Sequence, residues 1–145
     1  MRLKEAFPNG RFAQPATREK IRQTEATLGV TFPDALVALY LETDGFREPL
    51  GNAKYLLSLE EEDTIGSLVS MTEFWWEKWP RITPDGPDLK PYVFFGSSSA
   101  DEAWGIRCEP PNEVIAYHHS MGSGFIEVGQ DIVQVYLDDI QLYEV

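Results

Sequence analysis

Residues 18–46 constrain the fold most, because they predict two helices joined by a sharp turn. Thr17 can cap the first helix, and Gly29 can adopt the left-handed conformation that ends it. Pro33 suits the first turn of the second helix, where its missing N–H costs no hydrogen bond. Apolar residues then recur at helical spacing until residues 44–45 end the pair. The segment therefore predicts a helical corner, and it indicates no catalytic chemistry.

Length and composition predict a single globular domain. The chain has 145 residues, of which 43% are hydrophobic, so it can bury one core without metals or disulfides. Turn-forming residues cluster near the N-terminus, and residues 1–16 are therefore expected to form an irregular, loosely attached arm. No apolar run approaches the ~20 residues of a membrane span, and the N-terminus lacks the apolar core of a secretory signal. We therefore expect a cytoplasmic protein with residues 1–145 in one domain.

The charge of the chain is strongly negative and unevenly distributed. The 24 Asp and Glu residues oppose 12 Lys and Arg, which gives a net charge of −12. Residues 1–22 carry +4, so the rest of the chain carries −16, and no Lys or Arg follows Arg107. Phosphate groups repel such a surface, which disfavours nucleic-acid binding, whereas a basic protein would be attracted to it. Charge that only maintains solubility explains the same composition and stays as the alternative.

The remaining hydrophobic pattern predicts an α+β fold. A helical period over residues 67–79 predicts a Trp-rich central helix, and a similar period from about residue 130 predicts a C-terminal helix. Short β-rich runs between turn formers predict strands near residues 54–57, 92–95, 103–107, 113–118 and 125–128. This order predicts an antiparallel sheet of about four to six strands, packed with the N-terminal helical pair and the two later helices.

Residues with catalytic or metal-binding chemistry do not form a recognised motif. Cys108, His118 and His119 match no zinc-binding spacing, and adjacent residues on a strand point to opposite faces. Residues 120–124 lack the spacing of a nucleophile elbow or a phosphate loop and fit a hairpin turn better. The adjacent acids at residues 138–139 are not a pair brought together across a cleft. The sequence therefore predicts no catalytic residue, no metal site and no cofactor.

Two acidic segments are the candidate partner-binding sites. Each combines acidic side chains with a nearby apolar group on an expected loop or strand edge, which suits an exposed interface with a basic partner. The candidate residues are Glu60, Glu61, Glu62, Asp63, Asp101, Glu102 and Trp104. The Trp residues of the central helix are expected in the core, with a ligand-binding or partner-binding role as the alternative.

The helical corner resembles the opening signature of the SUKH superfamily, the Smi–Knr-like domain. The matching positions are Ile21, Glu25, Leu28, Gly29, Pro33, Leu36 and Gly45. An apolar strand ending at Gly96 and a closing helix over residues 132–143 are similar to later elements of the family, and they follow in the right order. The chain departs from the family at residues 97–101, where a Gly-rich acidic stretch is common, and at Asp44, where Asn is common. Asp tolerates the same turns, so neither change argues against the fold.

The resemblance implies structural roles for the matching positions. Gly29 and Gly45 would supply backbone conformations, and Pro33 would start a helix. Glu25 would form a cap or salt bridge inside the domain, and the apolar positions would lie in the core.

The resemblance also implies a non-enzymatic domain that binds proteins. Many bacterial relatives are similar to immunity proteins, which neutralise a toxin by direct binding, and fungal relatives resemble regulators of cell-wall assembly. Together with the acidic charge, this gives a first hypothesis: an immunity protein that binds a basic toxin, for example a nuclease, and is a monomer or weak homodimer. The second hypothesis is a regulatory or scaffold module for an endogenous partner. The third is a small-ligand-binding domain whose pocket is lined by Trp75, Trp76, Trp79 or Trp104.

Overall fold

Helices packed against one antiparallel sheet confirm the predicted α+β class. The computed structural model describes residues 2–48, 54–61, 66–97, 102–118 and 124–144. The candidate binding residues Glu62, Asp63 and Asp101 lie outside these ranges.

The described part of the chain contains six α-helices and seven strands, joined by turns and loops. The helices are α1 (Leu3–Ala6), α2 (Arg18–Leu28), α3 (Asp34–Glu42), α4 (Leu68–Glu73), α5 (Trp79–Ile82) and α6 (Ile132–Glu144), and a π-helical segment (Phe74–Lys78) joins α4 to α5. The strands are β1 (Arg11–Phe12), β2 (Phe46–Arg47), β3 (Tyr55–Leu56), β4 (Tyr92–Ser97), β5 (Glu102–Arg107), β6 (Val114–His118) and β7 (Gly124–Gly129).

The helical corner forms as the sequence predicts. The Thr17 side chain accepts a hydrogen bond from the Lys20 amide and caps α2, which ends at Gly29 in the left-handed conformation, with φ of 70°. The Glu25 carboxylate accepts a hydrogen bond of 2.7 Å from the Phe32 amide, and so it ties the end of α2 to the start of α3. Glu25 is therefore a cap within the domain, as expected from the resemblance.

The N-terminal segment differs from the irregular arm that the sequence predicted. It contains α1 and β1, and the side chains of Leu3 and Phe7 are buried in the main core. The buried carboxylate of Glu42, at the end of α3, accepts hydrogen bonds from the amides of Leu3 (2.9 Å) and Lys4 (2.6 Å). A carboxylate at a helix N-terminus satisfies N–H groups that have no partner inside the helix. This distant acid and the core contacts of Leu3 and Phe7 hold the segment, and local sequence could not reveal them.

Replacing Glu42 with alanine is expected to lower the free energy of unfolding by about 2–3 kcal/mol, because two amides lose a charged acceptor in a buried place. Chemical denaturation measures the loss, and hydrogen exchange should show faster exchange in α1. Glu5→Ala, at an exposed position of α1, is the matched control and should leave stability nearly unchanged. Equal stability of both variants would show that Glu42 does not hold α1.

The seven strands of the sheet follow one another in sequence order, and each neighbouring pair is antiparallel. The predicted count of four to six was too low. The missed strands β1 and β2 have two residues each, which is too short for the period-2 pattern on which strand prediction depends.

Helices cover both faces of the central strands. In β4, Val93 and Phe95 point into the main core, which also contains side chains of α1, α2, α3 and α6. Tyr92 and Phe94 point the other way, into a second core that contains Trp75 of the π-helical segment. Because both faces are buried, these strands show no alternation of apolar and polar residues.

The Trp-rich helix extends further than expected and is not uniformly α-helical. Ser67 forms a capping box with Ser70 at the start of α4. The helix then widens into the π-helical segment and continues past Pro80 to Ile82. Trp75 is buried in the second core, so the core interpretation holds for this residue.

Candidate functional site

Two of the candidate binding residues, Trp104 and Glu102, have largely buried side chains, although the sequence predicted an exposed interface. Trp104 is 2% exposed, and its ring centroid lies 4.9 Å from that of Tyr136 in α6. Its indole N–H donates to the Glu102 carboxylate. The Glu102 side chain is only 10% exposed, and Oε2 lies 3.1 Å from Nε2 of His118. Residues two apart on β5 share a face, and Trp104 belongs to the main core, so both side chains present little surface to a partner.

The other acidic segment lies partly on the surface. The Glu60 carboxylate forms an ion pair of 2.6 Å with the Lys20 ammonium of α2, whereas Glu61 is exposed. Within the described ranges, no hydrogen bond or ion pair joins Glu60 or Glu61 to Glu102. The described residues of the two predicted segments are therefore not joined by a direct polar contact.

Glu61 lines a cleft that the sequence did not predict. The cleft has a volume of about 450 Å³ and lies beside β1, β2 and β3. Arg11 and Arg47 stand directly opposite each other on β1 and β2, and both line the cleft together with Asp44 and Gly45. Basic and acidic side chains therefore meet at the turn that follows α3. The two-residue strands bring the arginines together, and no local sequence signal could have indicated it.

Asp44 is held in a half-buried position at this cleft. Its Oδ1 accepts a hydrogen bond of 2.9 Å from the Leu59 amide, which connects the α3 turn to the chain after β3. Burial raises the pKa of the Asp44 carboxyl above its ordinary value, and the nearby Glu61 charge raises it further, although hydrogen bonds from Leu59 and Ser58 oppose the shift. The charged form of Asp44 is therefore less stable in the folded protein than in the unfolded chain.

Replacing Asp44 with asparagine is expected to maintain or raise stability at pH 7, by up to about 1 kcal/mol, because the amide oxygen keeps the bond to Leu59 without a buried charge. The folded-state pKa of Asp44 is raised, so its neutral form stabilises the wild type below the ordinary Asp pKa. That contribution is lost as pH rises through the folded-state pKa. The advantage of the variant should therefore grow as pH rises from about 3 to about 7. Denaturation at several pH values measures it, and an advantage that grows toward low pH would contradict the assignment.

An aromatic pocket lies under the π-helical segment. Its volume is about 210 Å³, and Phe74, Trp75, Trp79 and Phe94 form much of its wall. Pockets for drug-sized ligands are usually about 300–1,000 Å³, so this one suits a smaller group. Trp76 does not line it, because its indole N–H donates to the Tyr92 carbonyl (2.8 Å). Of the four Trp residues that the small-ligand hypothesis named, only Trp75 and Trp79 line this pocket.

The part of the chain that follows Arg107 contains acidic residues but no Lys or Arg. The acids in this part of the chain are Glu109, Glu113, Glu127, Asp131, Asp138, Asp139 and Glu144. Of these, Glu109, Glu127, Asp131 and Asp138 are exposed in the part of the chain that the structure describes. Ile126 of β7 lies beside Glu127 and is 52% exposed. The charge is evident from the sequence, but β7 was not among the candidate binding sites.

The thiol and the potential metal ligands can be assessed in the described residues. Burial raises the pKa of the Cys108 thiol to about 11, and this keeps it protonated at neutral pH. No group of three or more His, Cys, Asp or Glu that could hold a metal ion occurs within the described ranges. Nor do those ranges contain a helix with the length and apolar character needed to cross a membrane.

The described residues thus form an α+β domain with a charged surface cleft and a small aromatic pocket. Residues 15–136 match the SMI1/KNR4 family (SUKH-1), and the chain belongs to this family. The match includes the helical corner, strands β2 to β7 and the first part of α6, which confirms the resemblance found in the motif residues. No curated protein matches the chain. Family members are generally non-catalytic and bind protein partners, as immunity proteins or regulators.

Proposed function

We propose that the protein is an immunity protein that neutralises a basic bacterial toxin by binding it directly in the cytoplasm. The observation that carries the proposal is an acidic surface: Glu109, Glu127, Asp131 and Asp138 are exposed on a domain of the SUKH-1 family, and no Lys or Arg follows Arg107 in the chain. A partner of opposite charge would be steered toward this surface and would associate faster than a neutral one. Binding that covers the active site or substrate surface of the toxin would stop its activity without catalysis.

Co-expression with a toxin encoded beside the gene tests the proposal. Cells that express both proteins should survive, and cells that express the toxin alone should die. Leu28→Asp is the control, because Leu28 is 9% exposed and a buried charge there should unfold the domain and abolish protection. Death of cells that contain folded wild-type protein, together with no binding between the purified proteins, would contradict the proposal.

The neighbouring genes distinguish the immunity role from the regulatory alternative. The same family match also supports this alternative. An adjacent toxin or secretion gene favours the immunity role. A neighbourhood that lacks such genes, with an endogenous protein captured by the folded domain, favours a regulatory or scaffold module.

A further inference from the structure

β7 is the last strand of the sheet and is long enough to pair with another strand. It has six residues, and among the described residues only β6 pairs with it. The opposite end of the sheet is different, because β1 has only two residues and carries the exposed Arg11. Short edge strands and basic side chains are common protections against unwanted pairing. The β1 edge is therefore protected in two ways.

The β7 edge has fewer of these protections. Gly124–Gly129 contains no Pro and no Lys, and its register with β6 is regular from Gly124 to Glu127. A register shift at Val128 is the one irregularity, and it lies near the end of the strand. Backbone N–H and C=O groups on the outer side of a regular edge can form hydrogen bonds with an added strand.

Side chains of β7 add an apolar and an acidic group to this edge. Ile126 stands opposite Ala116 on the face of the main core, but 52% of its surface remains exposed. Glu127 stands opposite Ile115, points to the other face and is exposed. An added strand would therefore meet an apolar residue on one face and a carboxylate on the other.

Charge decides between two possible occupants of the edge. A second copy paired through β7 would bring its own exposed acids, Glu127 among them, against those of the first copy, in a part of the chain that contains no Lys or Arg. Like charges placed across paired strands are destabilising, whereas opposite charges stabilise the pair. An extended segment with alternating apolar and basic side chains complements both Ile126 and Glu127.

We propose that β7 binds an extended basic segment of the partner protein, which adds to the sheet as an eighth strand. This inference rests on the proposed function, since it takes the partner to be a basic protein. Main-chain hydrogen bonds to β7 would hold the segment, Ile126 would contact its apolar side chains, and Glu127 would pair with a Lys or Arg. The same edge would disfavour acidic segments.

A synthetic peptide of about ten residues that alternates valine with lysine is the probe, and one with glutamate in place of lysine is its control. Amide chemical shifts of the full chain should change along β7 with the lysine peptide and not with the glutamate peptide. Ile126→Lys and Glu127→Lys should each weaken binding at least about tenfold. Ile82→Lys and Glu77→Lys are matched controls, because Ile82 is 65% exposed and Glu77 is exposed, and neither residue belongs to a strand of the sheet. Both controls should bind the peptide as the wild type does.

Three results obtained without the toxin would overturn the inference. The first is that the lysine peptide changes amide chemical shifts outside β7 instead of along it. The second is that the edge variants and their controls lose peptide affinity equally. The third is a wild-type homodimer that Ile126→Lys converts to monomer, because the occupant would then be a second copy. If the edge variants bind and neutralise the toxin as well as the wild type does, the inference fails and the proposed function stands. If no neighbouring toxin is neutralised but the lysine peptide still binds β7, the edge chemistry stands and the proposed function fails.

Discussion

Replacing Gly96 with alanine is expected to lower the free energy of unfolding by about 3 kcal/mol or more. A Cβ atom at this position would lie 2.2 Å from the Tyr55 carbonyl oxygen and 2.7 Å from the Tyr136 hydroxyl. That hydroxyl donates a hydrogen bond of 2.5 Å to the same carbonyl, so α6 is attached to β3 at this point. The methyl group would therefore separate β3 from β4 and also break the contact with α6. Chemical denaturation of the purified variant measures the loss.

Gly29→Ala is the matched control for this prediction. Gly29 has φ of 70°, but nothing lies within 4 Å of a Cβ built there. The substitution should cost only the strain of a left-handed residue with a side chain, about 1–2 kcal/mol. If Gly96→Ala lost no more stability than Gly29→Ala, the close approach at Gly96 would not be the cause.

Replacing Glu102 with lysine is expected to cost about 3 kcal/mol or more of stability. The Trp104 indole N–H would lose its acceptor, and a positive charge would stand at a position where the side chain is only 10% exposed. Loss of partner binding in this variant would therefore follow from damage to the fold. Thermal and chemical denaturation measure the effect directly.

Glu61→Lys is the control, because it reverses the same charge at an exposed position. Its stability should remain within about 0.5 kcal/mol of the wild type. If Glu102→Lys folded as stably as the wild type and only lost binding, Glu102 would belong to the interface, as the sequence first suggested.

Local features of the chain predicted the helical corner, because their causes lie within a few residues. Thr17 caps α2 through an amide three residues away, and Gly29 ends the helix through its own backbone conformation. Glu25 reaches the Phe32 amide seven residues later, which is still within one turn between two helices. Such short-range requirements appear directly in the sequence, and they also carried the family resemblance.

The candidate site was harder to predict, because its determinants are distant in sequence. The acid at Glu102 was taken for a surface group, but strand register places it beside His118 and the core residue Trp104. The N-terminal helix α1 is held by a hydrogen bond from the Leu3 amide to the Glu42 carboxylate, which lies almost forty residues later in the chain. Exposure of Ile126 follows from the position of β7 at the end of the sheet, and only the full strand order reveals it.

The association rate constant of the protein with the neighbouring toxin, measured against salt concentration, tests the central claim most directly. The claim is that an acidic SUKH-1 domain binds a basic partner through charge attraction. The rate constant should fall about tenfold or more as salt rises from about 20 mM to about 500 mM, because screening removes electrostatic steering. A rate constant that does not change with salt, or the absence of any complex at low salt, would contradict the account.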